Sequence, residues 1–146
     1  DLHRVDRRQR QMCIRDRPGV GKTRAIYDNF SYNEIYRITN YKHPFDSYDG
    51  QDVIVFDEFA SQLPFELMLN VADRYPLELP ARYNNKYALF TKVIFLSNIP
   101  FESTYTEIKK WEIERWWAWE RRVKNIFEME SDGNLNQLSG NKLPFD

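Results

Sequence analysis

Pro18-Gly19-Val20-Gly21-Lys22-Thr23 decides how this chain of 146 residues is read. The run is most of a phosphate-binding loop of pattern G-x-x-x-x-G-K-[ST], which would begin at position 16. Asp16 stands there, so the first glycine is absent. Gly19 and Gly21 let backbone N–H groups close around phosphate oxygens without a Cβ in the way. Lys22 is placed to reach the β/γ-phosphates, and the Thr23 hydroxyl to ligate Mg²⁺. Helix-favouring residues follow, so an anion held by 18–23 would sit at a helix N-terminus. Arg24 is either a further phosphate contact or a solvated helix charge. A Gly-Lys-Thr tripeptide also arises by chance, and its weight depends on what accompanies it.

Two strand-like segments accompany it. Val53-Ile54-Val55-Phe56-Asp57-Glu58 is an apolar run ending in two carboxylates, the pattern of a buried parallel strand that delivers acids at its C-terminal edge. Beside a triphosphate, Asp57 would hold the Mg²⁺ shell together with Thr23, and Glu58 would orient and deprotonate the attacking water. Val93-Ile94-Phe95-Leu96-Ser97-Asn98 repeats the shape and ends in an amide able to sense a γ-phosphate. Taken singly, these are core strands ending in solvated acids or in a turn Asn. In this order, each on a strand end, they predict an α/β P-loop NTPase sheet with helices on both faces.

The wording then resembles a family. Tyr48-Asp49-Gly50-Gln51-Asp52, Leu63-Pro64-Phe65 and Asp73-Arg74-Tyr75-Pro76-Leu77, together with Phe95-Leu96-Ser97-Asn98, are similar to the helicase domain of replication-associated (Rep) initiators of circular single-stranded DNA viruses and plasmids. These are superfamily 3, circovirus-like, AAA+-like helicases, and the resemblance covers about residues 18–129. It implies ATP and Mg²⁺ as cofactors, single-stranded DNA as partner in rolling-circle replication, and a homo-oligomer, commonly a hexameric ring. It implies a β-hairpin between Pro80 and Phe90 that projects a basic residue into the ring's pore. Arg82 aligns with the family's lysine there, and Lys86 lies near. Glu120-Arg121-Arg122-Val123 resembles the late motif whose arginine reaches a neighbouring subunit's nucleotide. Tyr83 and Asn84 replace the hairpin's glycines, a departure at its tip.

The segment before the loop departs further. Residues 1–17 carry six Arg against three Asp, a net of +3 that leaves −4 for the remainder. Gln11-Met12-Cys13-Ile14-Arg15-Asp16-Arg17 resembles translated sequencing-adapter read-through, and a natural basic arm is the competing reading. Burying so many guanidinium groups would cost several kcal/mol each, so the first central strand of the sheet is expected to be missing. The loop, lacking that support, is expected to bind ATP poorly. The domain division expected is 1–17 non-native, 18–129 ATPase domain and 130–146 polar, frayed tail.

Composition limits the remaining choices. Net charge is −1, so a nucleic-acid grip must come from a few placed cations rather than a basic surface. The single Cys13 excludes disulfides and cysteine metal sites. No apolar run reaches membrane-spanning length, which predicts an intracellular protein without a membrane partner, nuclear in a eukaryotic host and cytoplasmic otherwise. Helices are predicted over 22–30, 63–73 and 107–122, strands over 33–39 and 123–129, and a hairpin pairing 77–79 with 87–90. Trp111, Trp116, Trp117 and Trp119 fit a core or subunit interface better than a base-stacking platform. His3 and His43 show no catalytic or metal pattern. The function expected is an ATP-hydrolysing helicase domain. The rivals are an RNA helicase of picornavirus-like type and an inactive nucleic-acid-binding or assembly remnant.

Overall fold

The computed structural model describes residues 10–15 and 21–145. In chain order these form β1 (Arg10–Arg15), α1 (Lys22–Asn29), β2 (Ile35–Ile38), β3 (Val53–Phe56), α2 (Phe65–Val71), β4 (Glu78–Leu79), β5 (Lys86–Tyr87), β6 (Lys92–Ser97), α3 (Thr106–Trp111), α4 (Ile113–Arg122), β7 (Asn125–Met129) and β8 (Leu135–Ser139). The main sheet runs β2-β3-β6-β1-β7-β8, parallel throughout except for antiparallel β8. β4 and β5 pair antiparallel as a separate hairpin.

Continuous apolar runs form the central strands because both faces of the sheet are covered. Along β3, Val53 and Val55 enter one core with Ile26 of α1, while Ile54 and Phe56 enter the other with Met68 and Val71 of α2 and Trp116 and Trp119 of α4. Phe56 stacks on Phe95 across the β3–β6 ladder, with ring centroids 5.2 Å apart. The expected α/β sheet with helices on both faces is thus the observed one.

The strand expected to be missing is present. β1 lies between β6 and β7, with Cys13 opposite Phe95 and Ile126. The objection from buried guanidinium groups weakens because, among residues 11–15, whose burial is described, Met12, Cys13 and Ile14 are the buried ones. Arg15 stays half-exposed at the strand end, 3.9 Å from Glu128.

Burial pushes the Cys13 thiol up to about 12, with Glu102 adding to the effect. The sign is that of an acid kept neutral: the stabilisation is whole below the unfolded thiol's pKa of about 8.5 and is lost as pH rises towards the folded value. A thiol reagent at pH 8 is therefore expected to label Cys13 at the rate of sheet opening, and at the free-thiol rate in denaturant. Equal rates in both would remove β1 from the sheet.

Two other expectations change. The helix predicted over 107–122 is two helices broken at Glu112 (φ −142°, ψ 59°). An unbroken helix would set Glu112 on the stripe of Ile108, Trp116 and Trp119 and bury its carboxylate. The break leaves it exposed, 3.0 Å from Arg115. The tail expected to fray contributes β8, returned by a turn in which Gly133 (φ 88°) donates its N–H to Glu130 O at 2.9 Å. Trp116 and Trp119 are core residues whose indole N–H groups donate to Thr104 O and Oγ1 at 2.7 and 3.0 Å. Trp111 and Trp117 remain 71% and 47% exposed.

Candidate nucleotide site

The sheet's register aligns the functional strand ends. Phe56 sits opposite Phe95 and Ile14 opposite Leu96, so the C-terminal ends of β1, β3 and β6 lie along one edge. Pro18, Gly19 and Val20 lie outside the described residues. Gly21 takes φ 93°, a left-handed conformation suited to glycine, and α1 begins at Lys22 immediately after it. Among parallel strands, this edge is where ligands of α/β sheets bind.

At that edge Lys22 Nζ donates to Asn98 Oδ1 at 2.9 Å. Thr23 Oγ1 donates to Asp57 Oδ2 at 3.2 Å. Because Lys22 and Thr23 are consecutive, the Lys22–Asn98 and Thr23–Asp57 contacts fall in one cluster, with Glu58 following Asp57 in the chain. Asp57 is 5% exposed. A carboxylate so buried needs a counter-charge, and Arg37 supplies it: Nε lies at 2.8 Å and Nη2 at 2.6 Å from the same Oδ2. Asp57 Oδ1 accepts the Glu58 backbone N–H at 2.9 Å.

Glu58 has φ 49°, uncommon for a residue with a Cβ and a form of strain that concentrates at active sites. The Gln62 side chain braces that turn, donating to Glu58 O at 2.7 Å and accepting the Ala60 N–H at 2.6 Å. The Glu58 carboxylate itself is exposed and makes no hydrogen bond among the described residues. Tyr41 closes the side of the site by donating to Asp57 O at 2.6 Å. Burial raises its phenol pKa, and the charges of Asp57 and Glu58 raise it further.

Arg37, Tyr41 and Gln62 were not singled out from the sequence. A lone cation in Ile35-Tyr36-Arg37-Ile38 reads as the solvent side of an edge strand. Only the pairing of Ile38 with Phe56 brings it to the acid. Arg24 is 86% exposed and lies 3.9 Å from Asp28.

Thr23 and Asp57 place two hard oxygen donors in contact, as Mg²⁺ requires when it arrives with phosphates. Among the described residues no group of three or more His, Cys, Asp or Glu could hold a metal alone. The donor set thus fits a metal bound together with a phosphate ligand.

The remaining candidates lie elsewhere. Arg82 is tied to Asp46 through its backbone N–H (2.9 Å) and its Nε (2.5 Å), bonds that hold the Asp46 carboxyl below the usual range. Lys86 lies in β5, and Tyr83, at φ 72°, is 96% exposed at the hairpin's tip. The two late arginines part company. Arg122 bonds Asp73 Oδ2 at 3.1–3.2 Å and Ala118 O at 3.0 Å, pinning α4 to the end of α2. Arg121 is exposed and makes no ion pair among the described residues.

A family model described as RNA helicase matches residues 12–99, a span that begins within β1 and contains residues 18–23 and both the acid- and amide-bearing strands. The chain belongs to the RNA helicase family. Proteins similar to it include the replication-associated proteins of Beak and feather disease virus (38% identical over 92 residues, 62% of this chain and 30% of the relative) and Goose circovirus (37% over 82 residues, 56% and 27%). That of Canary circovirus is 31% identical over 110 residues, 70% of this chain and 36% of the relative. The helicase chain thus spans about a third of the length of the relatives it matches. No helix among its described residues is long and apolar enough to cross a membrane.

Proposed function

We propose that this chain is the ATP-hydrolysing helicase domain of a replication initiator and acts on single-stranded DNA as a homo-oligomeric ring, a hexamer. The observation that carries the reading is the meeting of Lys22 with Asn98 and of Thr23 with Asp57 at the start of α1. The 18–23 loop and Lys22 would hold the triphosphate, with Asn98 fixing the lysine and sensing the γ-phosphate. Thr23 and Asp57 would hold Mg²⁺, which when bound neutralises charge on the phosphates. Glu58 would take the proton of the water that attacks the γ-phosphorus as the bond to the β-phosphate oxygen breaks. Arg121, projecting from its protomer, would reach the neighbour's nucleotide. Arg82, Lys86 and the aromatic face of Tyr83 offer charge and stacking to a strand in the pore.

One observation favours RNA as the strand: the matched family is described as RNA helicase. The replication-associated relatives favour DNA. Turnover of ATP by this chain, measured with Mg²⁺ and either single-stranded DNA or RNA of equal length, separates the two. Stimulation by DNA is expected. Stimulation by RNA alone would replace the substrate, and no turnover with either strand would leave the assembly-remnant reading.

A further inference from the structure

Asp57 Oδ2 accepts hydrogen bonds from Arg37 Nε and Thr23 Oγ1, and Arg37 Nη2 pairs with it at 2.6 Å. An oxygen has room for few donors, and a metal shell delivered to Thr23 and Asp57 approaches the same atom. We propose that Arg37 is an internal cation that competes with Mg²⁺ for Asp57, so that the acid exchanges the guanidinium for the metal when a nucleotide brings it. The inference rests on the nucleotide reading above.

The geometry suits such an exchange. Both Arg37 donors fall on one carboxylate oxygen rather than being spread across two. This is not the fork-to-fork pairing that makes arginine–carboxylate contacts most rigid. The Arg37 side chain is 39% exposed, so it can withdraw into water, whereas the Asp57 side chain, 7% exposed, cannot. Oδ1, held by the Glu58 N–H, keeps the carboxylate oriented while its other oxygen changes partner. Arg37 keeps the buried charge compensated until the metal replaces it. One consequence is that metal alone displaces it poorly, and metal with triphosphate displaces it well. Arg37 is therefore a positioning residue that makes metal uptake conditional on nucleotide.

The test is a Mg²⁺ titration of binding to a fluorescent ATP analogue at saturating nucleotide, alongside melting curves in Mg²⁺ without nucleotide. Arg37→Met removes the competitor. Its Mg²⁺ midpoint is expected to fall about tenfold, and Mg²⁺ alone is expected to raise its melting temperature while leaving the wild type unmoved. Arg37→Met also strips Asp57 of its counter-charge. Should it melt below the assay temperature, Arg37→Lys is read instead, with a smaller shift in the same direction. A midpoint unchanged or raised in the folded variant overturns the inference alone. A wild-type chain without Mg²⁺-dependent nucleotide binding overturns the nucleotide reading, and this inference with it.

Discussion

Arg121→Ala is expected to cut ATP turnover of the assembled protein by about 10³–10⁵, the loss seen when a charge-stabilising arginine is removed from the transition state of phosphoryl transfer. The effect should fall on turnover and leave ATP affinity nearly intact. Arg122→Ala should behave differently. Arg122 is held in its own protomer by Asp73, so losing it frees α4 from α2 and costs about 1 kcal/mol of stability, part of that bond being screened by solvent. Mixing provides the decisive measurement. Arg121→Ala protomers keep Lys22, and Lys22→Ala protomers keep Arg121, so a mixed ring rebuilds some complete sites at subunit boundaries. Turnover above that of either variant alone places the arginine in trans. Mixtures as inactive as their components place it elsewhere.

How much of this was legible in the sequence follows from what each segment buries. Val53–Phe56 and Val93–Leu96 are apolar on both faces, so their strands and the groups at their ends could be read directly. β1 could not be read that way, because its flanking arginines dominate the composition while its buried stretch, Met12–Ile14, is short. β8 escaped because an exposed edge strand of polar residues carries no alternation; its signal was the Asp132-Gly133 turn. The break at Glu112 required knowing which face of the helix meets the core. The site divides in the same manner. Lys22, Thr23, Asp57 and Asn98 carry local motifs, whereas Arg37 is brought to Asp57 by strand pairing alone, which no spacing along the chain records.

Glu58→Gln is expected to lower turnover by about 10²–10⁴ while ATP and Mg²⁺ still bind, because the amide keeps the shape but cannot accept the water's proton. A readout that separates chemistry from folding is available in the backbone. Glu58 holds φ 49° although it carries a Cβ, a conformation that costs about 1–2 kcal/mol and that glycine adopts freely. Glu58→Gly should therefore be as inactive as Glu58→Gln yet melt no lower than the wild type, the relieved strain offsetting the added freedom of the unfolded chain. That pairing of lost activity with kept stability is the mark of a residue retained for chemistry. A Glu58→Gly protein that melts well below the wild type would make Glu58 a structural residue, and turnover kept by Glu58→Gln would require another group to take the proton.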